Sequence, residues 1–352
     1  MLVSEKYVVP QKINYFYIMI RVGIIGYGYW GINLLRNFIN ASDCTVNAVC
    51  DARMERLNAA QKVLPSIEVF TDVDDFMKKA SIDAVVVATP VFLHYSLAKK
   101  ALLAGKHVLV EKPLTASVDE AKELVELSQY RQLVLAVDHT FLFTGSVQKI
   151  KSLVDRGELG SLQYFDSTRI NLGLFQPDVN VIWDLAPHDI SILNYLVPER
   201  PTSVVCTGQS HTNNGLENIA YLTLNYASNF IAHFTCSWVS PLKIRRILIG
   251  GDNKMCLYDD VEPTEKIKIY DTGFRANTES EKHQMLIDYR VGDIFIPKIP
   301  QKEALSAMAD DFIQSIIQNR KPLVDGYAGL EVVSILEAAQ KSISLGGKEI
   351  KL

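Results

Sequence analysis

The chain is poor in the features that announce several common protein classes. It has five cysteines in 352 residues, Cys44, Cys50, Cys206, Cys236 and Cys256, with no C-x-x-C pair. That scatter argues against a zinc site and against the disulfide framework of a small secreted protein. Most of the five sit in apolar runs and read as core thiols. No apolar run approaches the ~20 residues of a membrane span. Met1–Ile20 lacks the basic start, long apolar middle and small-residue cleavage site of a signal peptide. No repeat and no low-complexity linker interrupts the chain. Positive charge is also short: the formal net charge is −4, and basic doublets such as Lys99-Lys100 and Arg245-Arg246 stand alone, so there is no global field to hold nucleic acid. The expectation is a cytoplasmic protein with neither a membrane nor a nucleic-acid partner.

What is present is an ordinary globular composition, 48% hydrophobic and 22% charged. The length suggests two domains. Met19 lies just before the first clear strand, which makes residues 1–18 read as an N-terminal extension. From Arg21 to Val137, short apolar, β-branched runs (Arg21–Gly26, Thr45–Cys50, Ala84–Ala88, His107–Val110, Leu133–Val137) alternate with helical stretches. Such alternation predicts a doubly wound parallel sheet of the Rossmann type, over residues 19–142. Alternating extended segments then dominate, from Leu162–Ile170 to Lys266–Tyr270, broken by a helix at about Asp184–Leu196 and closed by helices near Ala304–Asn319 and Gly329–Leu345. Short Asn-, Asp- and Gly-bearing loops favour antiparallel pairing. The fold class expected is therefore α/β: a Rossmann domain, then an α+β domain over 143–352 with a large, mostly antiparallel open sheet.

The first chemical signal is Gly26-Tyr27-Gly28-Tyr29-Trp30-Gly31. A lone G-x-G-x-x-G is weak, but this one directly follows a buried strand and opens a helix. Gly26 permits the tight turn, Gly28 lets backbone approach a pyrophosphate, and Gly31 lets the helix pack on the strand, with Tyr29 and Trp30 between them. The helix start offers free N–H groups to the phosphates. Asp51 ends the second strand, 20 residues beyond Gly31, where a carboxylate bonds ribose hydroxyls and repels a 2′-phosphate. NAD is favoured over NADP on that ground. Arg53 weighs the other way, because a nearby arginine can accept that phosphate.

The second signal is Thr89-Pro90-x-x-x-His94 followed by Gly105 to Pro113. The run TPVFLHYSLAKKALLAGKHVLVEKPL resembles the Gfo/Idh/MocA oxidoreductases, named for glucose–fructose oxidoreductase and inositol dehydrogenase, whose signature is E-K-P. The closing segment DDFIQSIIQNRKPLVDGYAGLEVVSILEAAQKSISLGGKEIKL is similar to that family's final helix–turn–helix. The resemblance spans roughly residues 21–352 and implies hydride transfer between a nicotinamide and an alcohol or ketone. It implies that Lys112 is the catalytic lysine, that Glu111 fixes it or touches the nicotinamide side, that Lys112–Pro113 is cis, and that Thr89, Pro90 and His94 line the cofactor groove. A satisfied helix-start histidine is an equal reading of His94. Physically, a cation at a strand's C-terminal end lies at the ligand crevice of an open α/β sheet and can stabilise alkoxide character.

The third signal is Trp183-Asp184-Leu185-Ala186-Pro187-His188-Asp189. Asp184 and His188 are spaced i, i+4 and share a helix face. Histidine exchanges protons near neutral pH, and a neighbouring carboxylate would orient it and favour its charged form. By resemblance to the family's D-x-x-x-H motif, His188 is the general acid/base and Asp184 its partner or a substrate contact. No third ligand is arranged around them, so no metal is expected. Arg169 and Asn171, at a strand end, and Trp183 are further substrate-contact candidates. His139 is another, although Val137–Phe143 departs from a common family form and lacks its arginine.

These residues point to an NAD-dependent dehydrogenase of a sugar. A nucleotide sugar or sugar acid of polysaccharide biosynthesis is the first reading, with Arg169, Arg245 and Arg246 as suspects for a diphosphate. A free polyol such as inositol, or a free sugar, is the alternative. A non-catalytic, NAD-sensing binding protein is the rival from another class; Lys112, Asp184 and His188 together argue against it. The second sheet has helices for one face only, so a homodimer or homotetramer is expected.

Overall fold

The structure is a computed structural model that describes residues 19–173, 175–275, 288–290 and 292–352. The expected extension at 1–18 lies outside the described residues.

Six strands form the first sheet: β1 (Ile20–Ile25), β2 (Cys44–Cys50), β3 (Glu68–Phe70), β4 (Ala84–Val87), β5 (His107–Glu111) and β6 (Leu135–Asp138). All pair in parallel, in the order β3-β2-β1-β4-β5-β6. Helices α1 (Tyr29–Ile39), α2 (Met54–Val63), α3 (Val73–Lys79), α4 (His94–Leu103) and α5 (Val118–Arg131) cover it. Buried on both faces, β4 is four consecutive fully buried residues. Two helix starts are capped as their sequences suggest, with Asp72 accepting from Asp75 N and Ser117 from Glu120 N. The sheet reverses order between β1 and β4, so its crevice opens at the C-terminal ends of those strands.

Among the described residues the second sheet has nine strands. Its members are β7 (Leu162–Leu172), β8 (Ser203–Gln209), β9 (Ile219–Asn225), β10 (Ile231–Ser237), β11 (Val239–Gly251), β12 (Met255–Asp259), β13 (Ile267–Tyr270), β16 (Ile294–Phe295) and β17 (Ile350–Lys351). Two further strands, β14 (Gly273–Arg275) and β15 (Asp288–Arg290), pair antiparallel with each other, apart from this sheet. The sheet is mostly antiparallel, but β10 and β7 run parallel at its centre. Helix α7 (Val181–Leu196) packs against its buried face, and α6 (Gly145–Asp155) leads into it. The other face leaves Tyr221, Ile231 and Leu248 exposed.

The C-terminal helices depart from the simple division at 142/143. Helix α8 (Ala304–Ile317) returns to the first sheet: Leu305, Met308, Ala309, Phe312 and Ile313 join the core of β1 and α1, and Phe312 meets Phe38 edge-to-face at 6.3 Å. Its apolar face needs a partner, and α1 presents the complementary one. Helix α9 (Gly326–Ser344) spans both sheets, contacting α5 and β8. No described helix is long and apolar enough to cross a membrane.

Candidate active site

The glycine loop is set by backbone. Gly26 takes a φ of +95°, a conformation that L side chains resist. A Cβ on Gly26 would meet the Ala88 carbonyl oxygen at 2.5 Å, and one on Gly31 would meet the Gly26 carbonyl oxygen at 2.0 Å. Neither backbone atom can yield, so both positions exclude every other residue. At Gly28 a Cβ would meet only the Arg56 guanidinium, 3.2 Å away. Helix α1 starts here without a side-chain cap, which leaves its first N–H groups facing the loop. Tyr29 and Trp30 stand exposed, in an edge-to-face pair at 5.3 Å.

Asp51 pins this loop. Its Oδ2 accepts the Tyr27 N–H at 2.7 Å and its Oδ1 the Arg53 N–H at 2.9 Å. Arg56 Nη1 lies 3.3 Å from Oδ2, and Arg53 Nε 3.9 Å from Oδ1. Oδ2 therefore already accepts two hydrogen bonds, from Tyr27 and Arg56, and Oδ1 retains acceptor capacity. A cradle without room for side chains, uncapped helix N–H groups and a carboxylate after β2 together fit a dinucleotide. Beside them Thr89 Oγ1 is buried with no partner among the described residues, and Pro90 is exposed.

His94 departs from the groove-lining expectation. It is 1% exposed, and its Nδ1 and Nε2 lie 2.8 Å from the Pro113 and Thr89 carbonyl oxygens. Burial holds its pKa below the usual histidine range. The ring therefore ties the loop after β4 to the turn after β5 and offers no edge to a ligand.

A cleft of about 860 Å³ opens between the two sheets, and Lys112, Asp184, His188, Arg169, Asn171, Tyr29 and Trp30 all line it. Lys112 follows β5, and its bond to Pro113 is cis. Its Nζ donates to the Asp184 carbonyl oxygen at 2.9 Å and approaches Asp184 Oδ1 at 3.4 Å. Asp184 Oδ2 accepts from Trp238 Nε1 at 3.1 Å. Pro187, inside α7, has no N–H for the carbonyl four residues back and crowds that turn; in the same turn the Asp184 carbonyl turns to Lys112.

The expected Asp184–His188 pairing does not form. Although they share a helix face, the Asp184 carboxylate is taken by Lys112 and Trp238, and His188 Nδ1 is enclosed with no partner among the described residues. Far from being favoured, the charged imidazole is opposed. Burial, then the charges of Lys112, Arg169, His139 and Arg245, pushes the His188 pKa well below the histidine range. The ring stacks edge-on to Phe141, 5.1 Å away, and reaches the cleft with its other edge.

Three substrate-contact candidates sit differently from expectation. Arg169 is buried in a bidentate pair with Asp189, Nε to Oδ2 at 2.8 Å and Nη2 to Oδ1 at 2.6 Å, and stacks over Phe141 at 4.7 Å. Its charge is neutralised in place, although its side chain forms part of the cleft wall. His139 is 1% exposed behind the wall, with burial and Lys112 pushing it down to about 3. Trp183 turns to a separate depression of about 590 Å³ that includes Phe92 and Leu216. Glu111 is likewise buried, its Oε2 accepting the Lys112 N–H at 3.2 Å.

The sequence reading missed Lys243, Asp138, Arg56 and Trp238. Lys243 and Arg245 line the cleft, whereas Arg246 points to the opposite face and pairs with Asp259. The strict alternation Lys243-Ile244-Arg245 on one strand was the available signal for the first.

Residues 20–139 match the model described as the oxidoreductase family, NAD-binding Rossmann fold, and residues 147–256 match the GFO/IDH/MocA C-terminal domain. The chain is 28% identical over 331 residues to UDP-N-acetylglucosamine 3-dehydrogenase of Acidithiobacillus ferrooxidans, covering 90% of this chain and 95% of that protein. A solved structure of that enzyme superposes with a TM-score of 0.77 at 25% identity, over 93% of this chain and 99% of the other. The WlbA dehydrogenase of Bordetella pertussis, in complex with NADH and UDP-GlcNAcA, shares the fold with a TM-score of 0.79 at 19% identity, over 95% and 98%. Scyllo-inositol dehydrogenase of Lactobacillus casei, with NAD(H) and scyllo-inositol, shares it with a TM-score of 0.78 at 20% identity, over 95% and 99%.

Proposed function

The chain belongs to the Gfo/Idh/MocA oxidoreductases, with an NAD-binding Rossmann fold, and from that premise we propose that it oxidises or reduces a secondary alcohol carbon of a nucleotide-linked sugar. The observation that carries the reading is the meeting of Lys112, Asp184 and His188 in one cleft whose wall also carries Lys243 and Arg245. A second depression, of about 1080 Å³, shares Thr144 and Asp260 with the cleft and is lined by Lys266, Lys298 and Lys302. Arg245 and Lys266 share Asp260, and Lys302 faces Asp310, but these side chains are partly exposed, and cations along such a path suit a diphosphate and nucleoside, whereas a free polyol needs none. The exposed apolar residues on the open sheet face support the further expectation of a homo-oligomer.

In this reading Gly26, Gly28, Gly31 and Asp51 hold the dinucleotide, with Tyr29, Trp30, Thr89 and Pro90 beside it. When bound, NAD supplies the hydride acceptor or donor. Lys112 holds the reacting oxygen and stabilises negative charge on it. His188, neutral because its surroundings oppose the imidazolium, accepts the hydroxyl proton at its cleft-facing edge. Asp184 is a positioning residue that fixes Lys112. Asn171 borders the substrate.

The test uses UDP-N-acetylglucosamine and scyllo-inositol as probes, following reduced nicotinamide absorbance. Turnover is expected with the nucleotide sugar, and Lys243→Glu with Arg245→Glu should raise its KM about 100-fold. Faster turnover of the inositol, with no effect of the reversals, would sink the nucleotide-sugar reading. Asp51 gives a separate prediction. With Asp51→Ser, Arg53 and Arg56 lose their anion, so NADH affinity should fall ~10–100-fold while NADPH binding improves. Cofactor fluorescence titration checks it; an unchanged NADH-to-NADPH preference would remove Asp51 from the ribose site.

A further inference from the structure

A lysine reaches its site on a flexible four-carbon stem, so a catalytic ammonium needs something rigid to aim it. The ammonium carries three hydrogens. Asp184 takes two of those on Lys112, one at its carbonyl oxygen, 2.9 Å away, and one at Oδ1, 3.4 Å away. The third is left for a ligand in the cleft that Lys112 lines. Its direction is therefore only as fixed as the two acceptors on Asp184. Helix α7 holds the carbonyl. The carboxylate is another matter, because the last torsion of an aspartate has a broad profile and turns easily. Trp238 stops that rotation: its Nε1 donates to Asp184 Oδ2 at 3.1 Å, so each carboxylate oxygen has its own donor.

Trp238 is itself held from several sides. It is the single residue between β10, which ends at Ser237, and β11, which begins at Val239. Its N–H donates to the Asn218 carbonyl oxygen at 2.9 Å, and its carbonyl oxygen accepts the Gly173 N–H at 3.2 Å. The Phe175 ring packs against the indole, with centroids 5.6 Å apart and planes at 63°. Although it borders the cleft, the residue is only 1% exposed. An indole N–H at such a depth needs an acceptor, and the Asp184 carboxylate is that acceptor. The contacts thus run in one order, from an immobile indole through a carboxylate to a mobile ammonium.

We propose that Trp238 is the positioning residue that aims the Lys112 ammonium at the reacting oxygen, by locking the Asp184 carboxylate from behind. This role rests on Lys112 holding that oxygen. Trp238 acts through Asp184 and handles neither the proton nor the hydride. In Trp238→Phe the ring's bulk stays and the N–H is lost. Asp184 Oδ2 is then released, and the carboxylate is free to turn both oxygens toward Nζ and take up the third hydrogen. A substrate oxygen would meet an ammonium whose donors are already committed. Because the bond from Nζ strengthens as negative charge grows on oxygen, the loss falls on kcat more than on binding.

With UDP-N-acetylglucosamine, or scyllo-inositol if that is the probe turned over, Trp238→Phe is expected to lower kcat about 30-fold at unchanged KM for NAD. In a Lys112→Met background the same substitution should cost less than about twofold, because the group it aims is gone. An equal cost in both backgrounds would overturn the assignment, since Trp238 would then act as cleft wall or as support for the fold. Wild-type kcat in Trp238→Phe would overturn it too. A second measurement needs no turnover. The chain has three tryptophans, so NMR of the 15N-labelled, NAD-loaded protein gives three indole N–H signals, which Trp30→Phe and Trp183→Phe assign. Lys112→Met leaves the carboxylate charge to the indole alone and should move the Trp238 signal downfield, whereas Asp184→Asn weakens the acceptor and should move it upfield. A signal that stays in place in both variants breaks the chain of contacts, even if Trp238→Phe fails to fold. Lys112→Met alone separates the two ideas: if it is fully active, the Lys112 assignment fails and takes the role of Trp238 with it; if it is inactive while Trp238→Phe is unaffected, only the positioning fails.

Discussion

Lys112→Met is expected to lower kcat/KM by about 10³-fold while leaving NAD affinity and thermal stability close to wild type. Lys112 Nζ is mostly buried, held by the Asp184 carbonyl and carboxylate at the cleft floor. A donor preorganised in a site with little water is worth roughly 3–4 kcal/mol to a transition state that places charge on oxygen, which is about a thousandfold in rate. In the proposed site cofactor binding rests instead on Gly26 to Gly31 and on Asp51. Methionine keeps the stem and much of its packing. Asp184 retains its bond from Trp238, so the helix start keeps a partner. Steady-state rates with UDP-N-acetylglucosamine, set beside NADH fluorescence titration, check the prediction. Turnover within tenfold of wild type would mean that Lys112 does not hold the reacting oxygen.

The Rossmann half was legible because its signals are local. Apolar runs separated by amphipathic helices prescribe parallel strands, and Gly26 and Gly31 report backbone contacts that no other residue tolerates. The central pairing of β10 with β7 was not legible, because parallel register between non-consecutive strands leaves no turn to read. Nor was the full length of strand β11, which runs Val239–Gly251. Pro241 and a register shift between Val239 and Ile244 hide its first half.

The site was half legible for a related reason. Sequence spacing placed Asp184 and His188 on one helix face, but spacing does not say which way a carboxylate turns when a lysine and an indole compete for it. His94 and Arg169 carry the residue types of a binding site, and both are consumed by buried partners, backbone carbonyls for one and Asp189 for the other. The strands before Glu111 and Asp138 were visible in the sequence, as His107–Val110 and Leu133–Val137; that the two acids stand opposite each other at one sheet edge emerges only with the register.

That buried arginine carries the second large effect. Asp189→Asn is expected to destabilise the fold by about 3–5 kcal/mol, the cost of leaving a desolvated charge unpaired. Asp189 Oδ2 accepts from both Ser167 and Arg169 Nε, and Oδ1 from Arg169 Nη2, with the two side chains only 5% and 2% exposed. At roughly 2.1 cal/mol/K of unfolding entropy per residue, the melting temperature should fall by about 4–7 °C. The loss also reaches the cleft. Arg169 already opposes charge on His188, and without its carboxylate it would oppose it more strongly, so the His188 pKa should fall further and proton transfer should slow. Replacing the pair by packed apolar residues, Arg169→Met with Asp189→Leu, removes both orphaned charges and should recover most of the stability. A double variant no more stable than Asp189→Asn would show that Asp189 supports the fold through Ser167 or through packing, and not by neutralising Arg169.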